Sequence, residues 1–171
     1  NDTMTASGGV AVNFDGGGGA DSMAVSAGGY VGILGGAGDD TIDVTGGTHG
    51  IVAGQEDNDL ITVSGGTVNG VLLVGVSGDE GDDTIIVNGT ADVNASVVGD
   101  QGNDSILIAD DADVLLGVFG GTSDDTITMT GGNVDVGIDA GDGDDSIAMS
   151  GGTADNVAGD SGGLGADNGN D

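Results

Sequence analysis

The chain has 171 residues, of which 40 are Gly and 30 are Asp or Glu, with no Lys, Arg, Pro, Cys or Trp and a formal charge of -30. Without one basic side chain it cannot neutralise phosphates, which makes nucleic acid and anionic membrane poor partners. Without Cys it has neither disulfides nor thiol chemistry, and no apolar run approaches the ~20 residues of a membrane-inserted span.

High charge with this much Gly would ordinarily read as disorder. The hydrophobic content of 36%, mostly Val, Ile, Leu, Met and Ala, argues otherwise. With three aromatics in all, Phe14, Tyr30 and Phe119, any core is built from small branched side chains. Such a core is thin, needs many short strands, and leaves the anionic repulsion to be cancelled by something other than protein.

An internal period supplies those strands. In chain order the copies read GGGGADSMA at Gly16 to Ala24, GGAGDDTID at Gly35 to Asp43, GQEDNDLIT at Gly54 to Thr62 and GDEGDDTII at Gly78 to Ile86. They continue as GDQGNDSIL from Gly99, GGTSDDTIT from Gly120 and AGDGDDSIA from Ala140. The aspartate near the end of each copy falls at Asp2, Asp21, Asp40, Asp59, Asp83, Asp104, Asp125, Asp145 and Asp167, at spacings of 19, 19, 19, 24, 21, 21, 20 and 22.

Aligned on that aspartate, the cycles form columns. Two residues on stand Met4, Met23, Ile42, Ile61, Ile85, Ile106, Ile127 and Ile147; four residues on stand Ala6, Val25, Val44, Val63, Val87, Ile108, Met129 and Met149. This period-two alternation predicts a short strand with one face inward. Seven residues before the aspartate lies a further column, Phe14, Ile33, Val52, Val76, Val97, Val118 and Ile138, which predicts a second strand. Turns such as Thr45-Gly46-Gly47-Thr48 separate the two. The fold class expected is all-β: a right-handed parallel β-helix or β-roll solenoid, about eight coils of ~20 residues with two short strands per coil. It is read as a single elongated unit over 1–171, with the last coil, from about 159, irregular because Gly169 stands where Asp167 needs an apolar partner.

The loop before each aspartate has the form Gly-Gly-x-Gly-x-Asp-x-apolar-x, and Gly35 to Asp43 fits it at every position. It resembles the repeats-in-toxin (RTX) nonapeptide, a calcium-binding β-solenoid repeat. The resemblance runs over nearly the whole chain. The cycle length is also similar to the roughly 19-residue repeats in extension domains of bacterial extracellular adhesins, some of which bind ice. The resemblance implies Ca²⁺ as cofactor, several ions in one row along one edge. The carboxylate ligands would be Asp21, Asp40, Asp59, Asp83, Asp104, Asp125 and Asp145, joined by carbonyls of Gly36, Gly38, Gly81 and Gly102. Oxygen-only donors suit such a hard cation. The extra acids Asp39, Asp82, Asp124 and Asp144 are expected to point outward, and Asp57 and Ser123 replace the third loop glycine in two copies.

The function expected is an extracellular or cell-surface, calcium-stabilised structural module, a spacer or building block of a bacterial surface adhesin, surface layer or fibre. The alternatives are an ice-binding β-solenoid and an RTX module accompanying a secreted enzyme. Thr41/Asp43/Thr45 and Thr126/Thr128/Thr130 favour an ice-binding face, but Ser22/Ala24/Ser26, Ile86 and Leu107 break it. Partners expected are calcium ions and further copies, end to end or laterally, through Ile86 with Leu107 or a strip of Leu34, Val98 and Phe119. No enzyme is expected: His49 is the one imidazole, read as an exposed turn residue without a counterpart in other coils. The first and last cycles open and close inside a motif, which fits an excerpt of a longer chain as well as stacking units.

Overall fold

The computed structural model describes residues 1–159; the irregular coil expected around Asp167 lies outside the described residues. The first coil is the strand β1 (Thr3–Gly18) and the second β2 (Ser22–Ala37), and the third divides into β3 (Thr41–Val44) and β4 (Thr48–Glu56). Each later coil has three strands: β5 (Leu60–Val63), β6 (Thr67–Val68) and β7 (Val74–Glu80), then β8 (Thr84–Val87), β9 (Asp92–Val93) and β10 (Ser96–Gln101). The same trio recurs as β11 (Ser105–Ile108), β12 (Asp113–Val114) and β13 (Gly117–Thr122), and as β14 (Thr126–Met129), β15 (Asn133–Val134) and β16 (Ile138–Asp142). The last described coil holds β17 (Ser146–Met149), β18 (Thr153–Ala154) and β19 (Val157–Ala158). No helix occurs among the described residues.

All pairing between coils is parallel, each strand bonding to its equivalent one coil away, as in β5–β8–β11–β14–β17. The result is a β-solenoid of about eight turns. The residue columns of the sequence are the register of the sheet: Ile42 pairs with Ile61, Ile61 with Ile85 and Ile85 with Ile106. Their side chains stack into a continuous dry core in which Ile42, Ile61, Ile85 and Ile106 are wholly buried. Like stacks on like, so a β-branched residue that fits one coil fits the next.

The turn between the two expected strands holds a third, two-residue strand and a fourth inward column. It runs Ala11, Tyr30, His49, Val68, Val93, Val114, Val134 and Ala154, buried from Tyr30 to Val134 and more open at its two ends. His49 is therefore not an exposed turn residue; it is 2% exposed. Its ring stacks on Tyr30 at 5.6 Å between centroids and 13° between planes, and Nε2 lies 3.0 Å from the Gly46 carbonyl oxygen. Tyr30 in turn contacts Phe14 at 5.6 Å. Phe14, Tyr30 and His49 thus stack through the first three coils of a core that is aliphatic further on.

The proposed lateral strips are only partly assembled. Ile86 and Leu107 are neighbours on β8 and β11 and half-buried. Leu34 is separated from the Val98–Phe119 pair by buried Ala53 and Ser77.

Candidate metal site along the acidic edge

The aspartate column lies at the corner where each loop turns into the following strand. Asp21, Asp40, Asp59, Asp83, Asp104, Asp125 and Asp145 are all buried, none more than 5% exposed. The glycine-rich loop before each one turns the chain sharply, so that the carboxylate is carried inward rather than into solvent. Each Oδ1 accepts the backbone N–H of the equivalent aspartate one coil earlier. Asp21 N–H donates to Asp40 at 2.6 Å, Asp40 to Asp59 at 2.7 Å, and Asp59 to Asp83 at 2.8 Å. Asp83 donates to Asp104 at 2.9 Å, Asp104 to Asp125 at 2.8 Å, and Asp125 to Asp145 at 2.8 Å. Half of each carboxylate is thereby spent on holding coils together.

The other half is not. In Asp21, Asp40, Asp59, Asp83, Asp104 and Asp125 the Oδ2 atom is buried with no hydrogen-bond partner. It points at the residue five positions earlier, Gly16, Gly35, Gly54, Gly78, Gly99 or Gly120. At Gly16, Gly35, Gly78, Gly99 and Gly120 a carbonyl oxygen of the next coil converges on the same point. At Gly35, for example, a Cβ would lie 2.5 Å from Asp40 Oδ2 and 2.6 Å from the Gly54 carbonyl oxygen. Both oxygens crowd the position of the glycine's second Hα, so no side chain fits there, and the carboxylate oxygen is left without an N–H or O–H donor.

The electrostatics agree. Burial pushes the carboxyls of Asp59 and Asp104 up to about 7 and those of Asp83 and Asp125 to about 6, from 3.8. The backbone hydrogen bond opposes the rise, and neighbouring carboxylates add to it. Asp40 is raised by the same desolvation.

A second ladder runs outside the first. Asn58 N–H donates to Asp39 Oδ1 at 3.1 Å, Asp82 to Asn58 at 2.7 Å, and Asn103 to Asp82 at 2.8 Å. Asp124 then donates to Asn103 at 3.1 Å and Asp144 to Asp124 at 2.8 Å. The outer acids do point outward, and they bond as well. In this ladder each amide reaches back one coil, whereas in the inner ladder it reaches forward, so the adjacent residues Asp82 and Asp83 tie their coil to both neighbours. Asn at 58 and 103 separates Asp39, Asp82 and Asp124, which dilutes like-charge repulsion along the exposed row.

Gly36, Gly38, Gly81 and Gly102 all have positive φ, between 111° and 139°. A Cβ on any of them would press into the backbone of the preceding coil, so packing alone demands glycine there. Asp57 and Ser123 adopt the same left-handed backbone, with φ of 73° and 85°, so the two copies that depart from the motif keep its loop path. The carbonyls facing the orphaned Oδ2 atoms belong to other residues, Gly35, Gly54, Gly99, Gly120 and Ala140, which the sequence reading did not single out.

The donor set suits a hard cation: carboxylate and carbonyl oxygens only, with no nitrogen or sulfur. Among the described residues no three His, Cys, Asp or Glu side chains gather at one point. An ion on this column would therefore draw on a carboxylate Oδ2, backbone carbonyls and water.

On the adjoining face, the first outward column, at the start of β1, β2, β3, β5, β8, β11, β14 and β17, runs Thr3, Ser22, Thr41, Leu60, Thr84, Ser105, Thr126 and Ser146. Leu60 interrupts the hydroxyls, and the next column contains Asp43, Ile86 and Leu107. Neither column is a regular array.

The chain matches no family model, no curated protein and no solved structure.

Proposed function

We propose that this chain is a calcium-stabilised structural repeat module acting outside the cell, a spacer or building block of a bacterial surface adhesin, surface layer or fibre. The observation that carries the reading is the row of buried aspartate Oδ2 atoms that lack a hydrogen-bond partner, most of them facing a carbonyl of the next coil. A column of stacked carboxylates, one per coil at a rise of about 4.8 Å, is unfavourable when ionised and uncompensated. Bound Ca²⁺ would supply the positive charge and bridge successive coils. Asp21, Asp40, Asp59, Asp83, Asp104 and Asp125 would hold it through Oδ2, and Asp145 completes the column.

Sites drawing on so few carboxylates suit the roughly 10⁻⁴–10⁻³ M affinities of extracellular modules, and at cytosolic calcium they would be empty. Stiffness follows from the fold, because each coil buries its apolar face only against its neighbours. The broken hydroxyl columns weigh against the ice-binding alternative.

The test is a calcium titration of the chelated chain at pH 7.5, followed by circular dichroism and by calorimetric stoichiometry. The expected outcome is a calcium-dependent gain of β signal with several ions per chain, not reproduced by Mg²⁺ at equal concentration. Full β structure and unchanged melting in chelator at low salt would refute it.

A further inference from the structure

The fourth coil is the longest among the described residues: 24 residues separate Asp59 from Asp83, against 19 to 21 in the other described coils. The extra length leaves the stack as a side loop. Val71 N–H donates to the Val74 carbonyl at 2.8 Å and Val74 N–H returns to Val71 at 3.2 Å, closing a small antiparallel bridge. Between them Leu72 and Leu73 have left-handed φ of 51° and 86°, and Leu72 is 93% exposed. A bulky aliphatic side chain in that backbone region and in water costs twice over, and the core gains nothing from it.

The loop forms one wall of a groove of about 450 Å³ on the flank of the solenoid. Val31, Ile51, Leu72 and Val74 make it apolar, while Ser77, Asp79 and Asp100 stand at one end. That volume lies within the range of single-ligand pockets, which combine apolar walls with a few placed polar groups.

The acidic end occupies a distinctive backbone position. Gly17, Gly36, Gln55, Asp79, Asp100, Gly121 and Gly141 are in register, and all have positive φ. Glycine fills this column at both ends of the row. At the groove two carboxylates replace it, at φ of 78° and 83°, and accept the strain that the left-handed region imposes on a side chain. Ser77, itself 2% exposed, donates from Oγ to Asp79 Oδ1 at 2.6 Å and fixes that carboxylate. Two like charges one coil apart thus face an apolar trough. No second copy of this chain could neutralise them, since it has no Lys or Arg.

We propose that the groove binds a small hydrophobic monocation, an alkyl- or arylalkyl-ammonium with its chain along Val31, Ile51 and Leu72 and its ammonium beside Asp79 and Asp100. A hydrated metal ion would use the carboxylates and leave the trough unfilled; a neutral or anionic lipid tail would leave the acids unpaired. The groove holds none of the column aspartates, but Asp79 and Asp100 follow Gly78 and Gly99 in the loops that carry Asp83 and Asp104. Asp79 also acts on the Asp83 carboxyl, so the amine is tested with calcium already saturating.

The test is calorimetry on the full chain in saturating calcium, with octylammonium, ethylammonium and octanoate as probes. Octylammonium should bind at one site per chain, about 60 times more tightly than ethylammonium, since an open groove buries about three of its six additional methylenes at roughly fourfold each; octanoate should not bind. Asp100→Asn keeps a residue that tolerates left-handed backbone and should weaken octylammonium roughly tenfold. Leu72→Ser, at a site outside the core, should shrink the octyl-to-ethyl ratio. Equal binding of the two amines would reduce the effect to general counterion attraction and overturn the proposal. So would unchanged affinity in both variants, or binding of a Leu-Lys peptide without octylammonium, which would make the trough a protein-docking surface.

Discussion

Asp104→Asn separates the two jobs of the aspartate column. Asp104 is 2% exposed, and its Oδ1 accepts the Asp83 N–H at 2.9 Å. An asparagine Oδ1 accepts that bond equally well. Its Nδ2–H then replaces the orphaned Oδ2 and can donate to the Gly120 carbonyl, which converges on the same point. Burial raises the Asp104 carboxyl to about 7, and at ~1.4 kcal/mol per unit the ionised form is disfavoured by roughly 4 kcal/mol relative to an exposed carboxylate. Relaxation and coupling along the column reduce what is recovered. In chelator at pH 8, Asp104→Asn is therefore expected to stabilise the chain by about 2–4 kcal/mol. In saturating calcium the sign reverses, because the variant has lost a charged ligand. Asp104→Ala loses the ladder bond as well and should destabilise under both conditions. Urea denaturation followed by circular dichroism, with and without calcium, reads all three. Should Asp104→Asn weaken the chelated chain as much as Asp104→Ala does, the column is not under electrostatic stress and the argument fails.

Protons should substitute for calcium. Asp59, Asp83, Asp104 and Asp125 have folded values raised above 3.8 to about 7, 6, 7 and 6, so the folded chain binds more protons than the unfolded one between those limits. The stability of the calcium-free chain is then greatest below about pH 4 and is lost as pH rises to about 7; denaturation midpoints in chelator from pH 4 to pH 8 should fall steadily, and a flat profile would contradict this. Gly35→Ala drives a Cβ against Asp40 Oδ2 and the Gly54 carbonyl and should cost roughly 1–3 kcal/mol, measured in saturating calcium. His49→Val extends the valine column that starts at Val68 and removes a buried Nδ1 that has no hydrogen-bond partner. Its melting temperature should be unchanged or higher, with a gain of up to about 1 kcal/mol, and a large loss would show that the stack on Tyr30 is worth more than the orphaned nitrogen costs.

Three of the four inward columns were legible because each keeps a constant distance from the aspartate. The fourth was not, because that distance changes: His49 lies ten residues before Asp59, Val68 fifteen before Asp83, and Val93 eleven before Asp104. The side loop at Val71–Val74 accounts for the longest of these. With the column out of phase, His49 looked like an isolated polar residue in a glycine turn, whereas the backbone places it between Tyr30 and Val68. The aspartates were found for the type of residue they are, but not for the division of labour between their two oxygens. A loop sequence does not say which way an amide points, and the opposed directions of the inner and outer ladders emerge only when coils are stacked.

Parallel ladders also set how such a stack responds to force. Strands run around the solenoid, so the hydrogen bonds between coils lie along its axis and a pull on the two ends loads the joints in series. The joints open one at a time, by peeling rather than by shear. Each released coil of some twenty residues at about 3.4 Å per residue pays out roughly 70 Å of chain. A string of these coils is therefore rigid under small tension and lengthens in discrete steps beyond it, absorbing a sudden tug without parting.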